Sequence, residues 1–313
     1  MKPQNLVCAL LHVAALLLFA TVPGGAESAQ KVTVSMRPYK GTRSVVAVKL
    51  NGAGPYDFMV DTGATVTVLD AVLFHELGLQ AVGSARIVSS AGTTDQILST
   101  VKEITLDSLS VRNVAVVSMK SPMTADDYRA VRGILGENFL RHFDILLDNQ
   151  HRTITLDAGD SLADSLSGER LPITFLPLPE GDENRYQPKI SVKVQAYGHA
   201  SLLLDSGATQ LALLQPRIEW TGLGGRMTVR TVNGSLICEE TDATLYLGKG
   251  TIRNLGIVNC QTATGKPKDL EGILPTAIFK QIFISHAGSY AIVNPAPRCK
   301  GPQEIAAVTP LSQ

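Results

Sequence analysis

Residues 47–69, AVKLNGAGPYDFMVDTGATVTVL, can be laid without a gap over residues 191–213, SVKVQAYGHASLLLDSGATQLAL, at a constant offset of 144. Lys49 meets Lys193, Asp61 meets Asp205, Gly63 meets Gly207, Ala64 meets Ala208 and Leu69 meets Leu213, while several other positions exchange one apolar residue for another. Two further segments recur in the same order. SVRNVAVV (110–117) matches TIRNLGIV (251–258) at an offset of 141, and GILGENFL (133–140) matches GILPTAIF (272–279) at 139. An offset that shrinks along the chain is what two copies of one unit give when loops lose residues. The chain must therefore build one design twice: a first lobe over 31–156, a linker over 157–170 that is acidic, small and without apolar period, and a second lobe over 171–297, with 298–313 as a tail.

The design is a β one. KVTVSM, SVVAVKL, ARIVSS, VRNVAVVSM, TITLD, KISVKVQ, MTVRTV, ATLYL and LGIVNC alternate or are β-branched, and Gly, Asn, Asp and Pro separate them. Helical pattern is confined to AVLFHELGL, ENFLRHF and TAIFKQIF, the last starting behind Pro275, a residue suited to the first turn of a helix. The expected fold class is all-β, with two similar lobes and a few short helices.

The 28 basic and 28 acidic residues cancel, which disfavours nucleic acid and anionic membrane surfaces as partners. The N-terminus has the pattern of an export signal over 1–28: Lys2, an apolar run from Leu6 to Val22, then PGGAES with small residues for cleavage after Ala26 or Ser28. Export to a periplasm or the exterior is expected, with an uncleaved membrane anchor as the alternative. Cleavage leaves Cys238, Cys260 and Cys299, of which one pair can form a disulfide in an oxidising compartment, or all three can be buried small hydrophobes.

FMVDTGATV and LLLDSGATQ each run three apolar residues straight into an aspartate, a hydroxyl residue and a glycine. Phe58-Met59-Val60 and Leu202-Leu203-Leu204 suit strands buried on both faces, which would hold each carboxylate rigidly in a dry setting. Gly63 and Gly207 can take positive φ and allow the two turns to approach. Two carboxylates held side by side can act as base and acid toward water and an amide, because close like charges raise one pKa and leave one shared proton.

These paired loops, each followed by a Gly-Ile-Leu segment before a short helix, resemble the aspartic peptidases of the retropepsin and pepsin clan over nearly all of the chain after the signal. The resemblance implies a single-chain aspartic endopeptidase with an Asp61/Asp205 dyad, active as a monomer on polypeptide, with no cofactor and no metal. It implies that the Thr62 and Ser206 hydroxyls donate across to the opposite loop, and that Ile134-Leu135 and Ile273-Leu274 pack under the site. Pro275 stands where the family pattern has Gly, which sets the second lobe apart. Hairpins over 87–98 and 227–238 are flap candidates, with Ala91-Gly92 and Asn233-Gly234 at their tips, and neither has the Tyr common in pepsin-like flaps. A catalytically silent relative that grips peptide by strand addition is the alternative. Other chemistries lack their signatures: FHELG has no second His four residues after His75, and no Gly-x-Ser-x-Gly is present.

Overall fold

The computed structural model describes residues 31–39, 41–89, 91–119, 131–175, 187–214, 225–231, 234–260 and 270–298. The apolar N-terminal run, Cys299 and the tail beyond it, and the flap-tip candidate Asn233 lie outside them.

The protein is mostly β, and its two lobes repeat one topology. In the first, strands Arg43–Leu50, Ala53–Val60, Gly133–Leu135, Thr67–Asp70, Leu109–Met119 and Gly92–Leu106 pair in that order. Pairing of Lys49 and Leu50 with Thr105 and Ile104 closes them into a six-stranded barrel. The second lobe runs through Pro188–Val194, Gly198–Asp205, Gly272–Pro275, Leu211–Leu213, Gly250–Cys260 and Gly234–Leu247, and the pairing of Lys193 and Val194 with Tyr246 and Leu245 closes it in the same way. Alternating residues of these strands turn inward, so Val46, Val48, Leu50, Val101 and Ile104 fill one barrel and Val192, Val194, Leu245 and Leu247 the other.

A six-stranded sheet joins the lobes: Lys31–Ser35, Thr153–Asp157, Asp144–Asp148, Gln281–Ser285, Tyr290–Val293 and Leu171–Phe175, three strands from each half. Its centre is the antiparallel pair Ile145 with Ile284 and Leu147 with Ile282, all fully or almost fully buried. This pairing overrides the helix expected over TAIFKQIF. Only Thr276–Ile278 forms a helical turn, of the 3-10 type, and Gln281–Ser285 is strand. Ile282, Phe283 and Ile284 bury more as the middle of a sheet than on one face of a short surface helix. The other two helices form as Ala71–Glu76, capped by the Asp70 carboxylate accepting from the Leu73 N–H at 2.8 Å, and as Glu137–Leu140. Between the lobes, helix Ser161–Ser165 and the short strand Leu166–Ser167 bury Leu162 and Leu166 against Phe283 and Ile292.

Cys238 and Cys260 face each other directly on neighbouring strands and are joined as a disulfide, with their Cα atoms 4.2 Å apart. The bond ties the second lobe's hairpin to the barrel.

Candidate active site

Asp61 follows the strand Ala53–Val60 and Asp205 ends the strand Gly198–Asp205. Each strand is clamped in the middle of its sheet by a parallel neighbour: Met59 and Val60 pair with Ile134 and Leu135, and Leu203 and Leu204 pair with Ile273 and Leu274. Leu135 and Leu274 are fully buried, and the Asp61 N–H donates to the Leu135 carbonyl at 3.1 Å. Backbone on both sides therefore fixes where each carboxylate emerges.

The two loops lock to each other reciprocally. The Thr62 hydroxyl donates to the Leu204 carbonyl at 2.8 Å and accepts from the Ser206 N–H at 3.1 Å, while the Ser206 hydroxyl donates to the Val60 carbonyl at 2.9 Å and accepts from the Thr62 N–H at 3.1 Å. All four bonds are buried and all cross from one lobe to the other.

Gly63 and Gly207 serve closeness, not backbone freedom. Neither uses the positive φ that glycine permits. A Cβ on Gly63 would instead lie 2.5 Å from the Asp205 carboxyl, and one on Gly207 2.5 Å from that of Asp61. Only a missing side chain lets the loops come this near.

Asp61 and Asp205 face each other across the gap, each beside the glycine of the opposite loop. Burial lifts the Asp61 pKa well above its ordinary value, helped by repulsion from Asp205. Burial raises Asp205 too, but backbone donors oppose it: its Oδ1 accepts from the Gly207 N–H at 2.7 Å and the Ala208 N–H at 2.9 Å, where Asp61 accepts only from the Gly63 N–H at 2.9 Å. The backbone donors therefore favour the charged form on Asp205 more than on Asp61 in this coupled pair.

Residues 46–139 match a family model described as aspartyl protease. The match covers the first lobe from its barrel through the Asp61 loop and hairpin to the Gly133 segment, and it supports an aspartic protease family, hence a hydrolase acting on polypeptide. No curated protein matches the chain significantly.

Two hairpins reach toward each other from the two lobes. Strands Gly83–Ser89 and Gly92–Leu106 turn at Ala91, and strands Arg226–Thr231 and Gly234–Leu247 turn ahead of Gly234. The Ser89 and Thr231 hydroxyls hydrogen-bond at 3.2 Å, and Ala91 packs on the second lobe's cluster of Leu236, Cys238 and Val258. Gly92 and Gly234 occupy matching places with φ of +150° and +152°.

Two residues near the dyad escaped sequence reasoning. The Arg43 Nε donates to the Gly207 carbonyl at 2.7 Å, and its charge opposes the rise of both carboxyl pKa values. Gln187 Nε2 donates to the Gly63 carbonyl. They stand 144 residues apart, so the repeat offset carried four residues upstream of residue 47 would have paired them.

Proposed function

We propose that this chain is an exported, single-chain aspartic endopeptidase of the retropepsin and pepsin clan, in which Asp61 and Asp205 activate one water molecule. The observation that carries this reading is the facing pair of carboxyls, one from each lobe, brought together by the reciprocal Thr62 and Ser206 bonds. Charged Asp205 takes a proton from water as it attacks the peptide carbonyl, and protonated Asp61 gives its proton to the carbonyl oxygen. Asp205 then passes the water proton to the leaving nitrogen while Asp61 takes a proton back from a diol hydroxyl, so the C–N bond breaks and the pair, singly protonated throughout, regains its starting arrangement. The two hairpins close over an extended peptide and keep bulk water from the reacting atoms.

Because both aspartates lie in one chain, the enzyme works as a monomer, and its specific activity is independent of dilution. No metal takes part. Export follows from the N-terminal pattern and places the protein in a periplasm or outside the cell. The deciding test is incubation of the mature protein and its Asp61→Asn and Asp205→Asn variants with a mixed peptide library, read by mass spectrometry. Cleavage by the native chain and by neither variant is expected. Near-native turnover by either variant would remove the shared dyad.

A further inference from the structure

The repeat that builds the cleft is broken in charge at its two ends. On one side Arg43 bonds the Gly207 carbonyl; at the matching place on the other, Gln187 bonds the Gly63 carbonyl. Both side chains make the same contact with the opposite loop, so the contact does not explain why one is cationic.

Arg43 lines a cavity of about 490 Å³ together with Thr209, Gln210, Met227, Val229 and Arg230. This cavity lies between the stretch just after the Asp205 loop and the flap strand Arg226–Thr231. Among the described residues, the sole hydrogen bond of Arg43 is the one from Nε, and neither Arg43 nor Arg230 pairs with a carboxylate. Two arginines thus border one space, and their guanidinium groups have donors to spare. The flap hairpins repeat at an offset of 142, as Ser89 and Thr231 or Gly92 and Gly234 show, so the counterpart of Arg230 is Val88. Val88 is 45% exposed. Where one end of the cleft offers Arg43 and Arg230, the other offers Gln187 and Val88.

We propose that the Arg43/Arg230 cavity is a specificity pocket for a substrate carboxylate, and that the opposite, pseudo-symmetric pocket takes a neutral or apolar side chain. The inference rests on the peptidase reading for its substrate class. Guanidinium is suited to the task because its planar fork meets a carboxylate with two donors and never loses its charge. The Nε bond to Gly207 leaves the outer Nη nitrogens of Arg43 for a ligand. The pocket also gives an otherwise symmetric cleft a direction, since a peptide with one acidic residue fits in one orientation only.

The test compares kcat/KM for matched peptides carrying Glu, Gln or Lys at each position around the cleaved bond, for the native enzyme and for Arg43→Gln, Arg43→Lys, Arg230→Gln and Gln187→Arg. Peptides ending at that position as free acid or as amide separate an acidic side chain from a chain terminus. Binding of uncleavable hydroxyethylene analogues of the same peptides is measured in parallel. The native enzyme should prefer Glu over Gln at a single position by about tenfold or more, the worth of one charge-assisted hydrogen bond. Arg43→Gln should bring that ratio close to one, Arg43→Lys should retain part of it, and Gln187→Arg should create a second acidic preference at the opposite end. Gln at position 43 copies a contact the other lobe already makes, so the variant is expected to fold. Turnover with no acidic preference, or a preference unchanged in both arginine variants, overturns the pocket. Glu-selective binding of the analogues without any turnover keeps the pocket and overturns the peptidase reading; neither binding nor turnover overturns both.

Discussion

A Cβ placed on Gly63 would lie 2.5 Å from the Asp205 Cγ, closer than any side chain tolerates. The same holds for Gly207 and the Asp61 carboxyl. Gly63→Ala and Gly207→Ala must therefore push the loops apart, against four buried cross-lobe hydrogen bonds that hold them together. Each variant is expected to lose activity by about a hundredfold or more, since small misplacements of reacting groups have effects of this size. Thermal unfolding should shift to lower temperature at the same time. Alanine at either position with near-native kcat and Tm would show that the loops can separate freely.

The reciprocal lock makes its own prediction. Thr62→Val keeps the shape of the side chain and removes both bonds of the hydroxyl, leaving the Leu204 carbonyl and the Ser206 N–H buried without partners. Destabilisation of about 2–6 kcal/mol is expected, from about 1–3 kcal/mol for each of the two unsatisfied buried groups. Thr62→Ser should restore most of it. Denaturant unfolding of the three proteins gives the comparison, and equal midpoints for Thr62→Val and the native chain would refute the lock.

What was legible in the sequence was whatever is local and repeated. Asp61, Asp205 and the hydroxyl residues beside them stand in loops whose apolar strands are contiguous in sequence, so the site could be read without knowing the pairing. Pro275 could not. In the first lobe the Gly136 N–H donates to the Thr67 hydroxyl at 3.2 Å, and that hydroxyl donates to Asn138 Oδ1 at 2.8 Å. In the second lobe the same places hold Pro275, Leu211 and Ala277. A proline has no N–H to donate and leucine no oxygen to accept it, so the donor and its acceptor disappear together. The strand keeps its register, with Asp205 beside Pro275. That exchange spans three segments and becomes visible only once they are in contact. The helix expected over TAIFKQIF failed for the same reason: the strand Asp144–Asp148 that captures Gln281–Ser285 comes from the other half of the chain.

The disulfide bears on the second hairpin more than on the barrel. Cys238 lies on the hairpin's return strand, and its bond to Cys260 closes a loop across 22 residues of sequence separation. Reduction, or Cys238→Ala with Cys260→Ala, should lower stability by about 3 kcal/mol, as for a loop of this size. Hydrogen exchange should rise first in Arg226–Thr231, which among the described residues pairs as a strand only with that one. Unchanged exchange in this segment after reduction would mean that packing of the buried cluster around Leu236 and Val258 holds the hairpin unaided.

Stability should fall as pH rises. Burial raises the pKa values of Asp61, Asp205, Glu137 and Asp144 in the folded chain. A carboxyl raised in this way stabilises the fold most at low pH, and its contribution is lost as pH climbs from the ordinary carboxylate range through the raised value. His286 adds the same sign. Burial alone would lower its pKa, but the Glu137 carboxylate 2.9 Å from Nε2 and the Phe143 carbonyl that accepts from Nδ1 at 2.8 Å raise it. Its contribution is complete below the ordinary histidine value and disappears above the raised one. Asp148 works the other way. Burial would raise its pKa, but the N–H and ring of His151 and the Gln281 amide hold it below the usual range, so its contribution is complete above the ordinary carboxylate value, is lost only as pH falls through the lowered one, and does not change between pH 5 and pH 8. Calorimetry at constant ionic strength should therefore give a Tm that drops between pH 5 and pH 8, and a flat or rising Tm over that interval would contradict this assignment.

The pH dependence of activity turns on Ala64 and Ala208. A serine at either place would offer a hydroxyl to the neighbouring carboxylate; alanine offers none, and the working range should lie at mildly acidic to near-neutral pH instead of strongly acidic pH. The two positions are not equivalent. Ala208 already donates its backbone N–H to Asp205 Oδ1 at 2.9 Å, whereas the Ala64 N–H goes to the main-chain carbonyl of Asp61 at 3.2 Å and leaves that carboxyl with one backbone donor. A hydroxyl added beside Asp61 meets the carboxyl with fewer backbone donors, so Ala64→Ser should move the limbs of the kcat/KM profile downward by roughly half a pH unit or more, with Ala208→Ser giving the smaller shift. Both variants leave the charge near the dyad unchanged, so Arg43 acts equally on each and cannot produce the difference between them. Profiles of the three proteins on one peptide decide the matter: a strongly acidic native optimum, or a larger shift in Ala208→Ser than in Ala64→Ser, would place the proton on the other aspartate or show that the loops' own donors already saturate both.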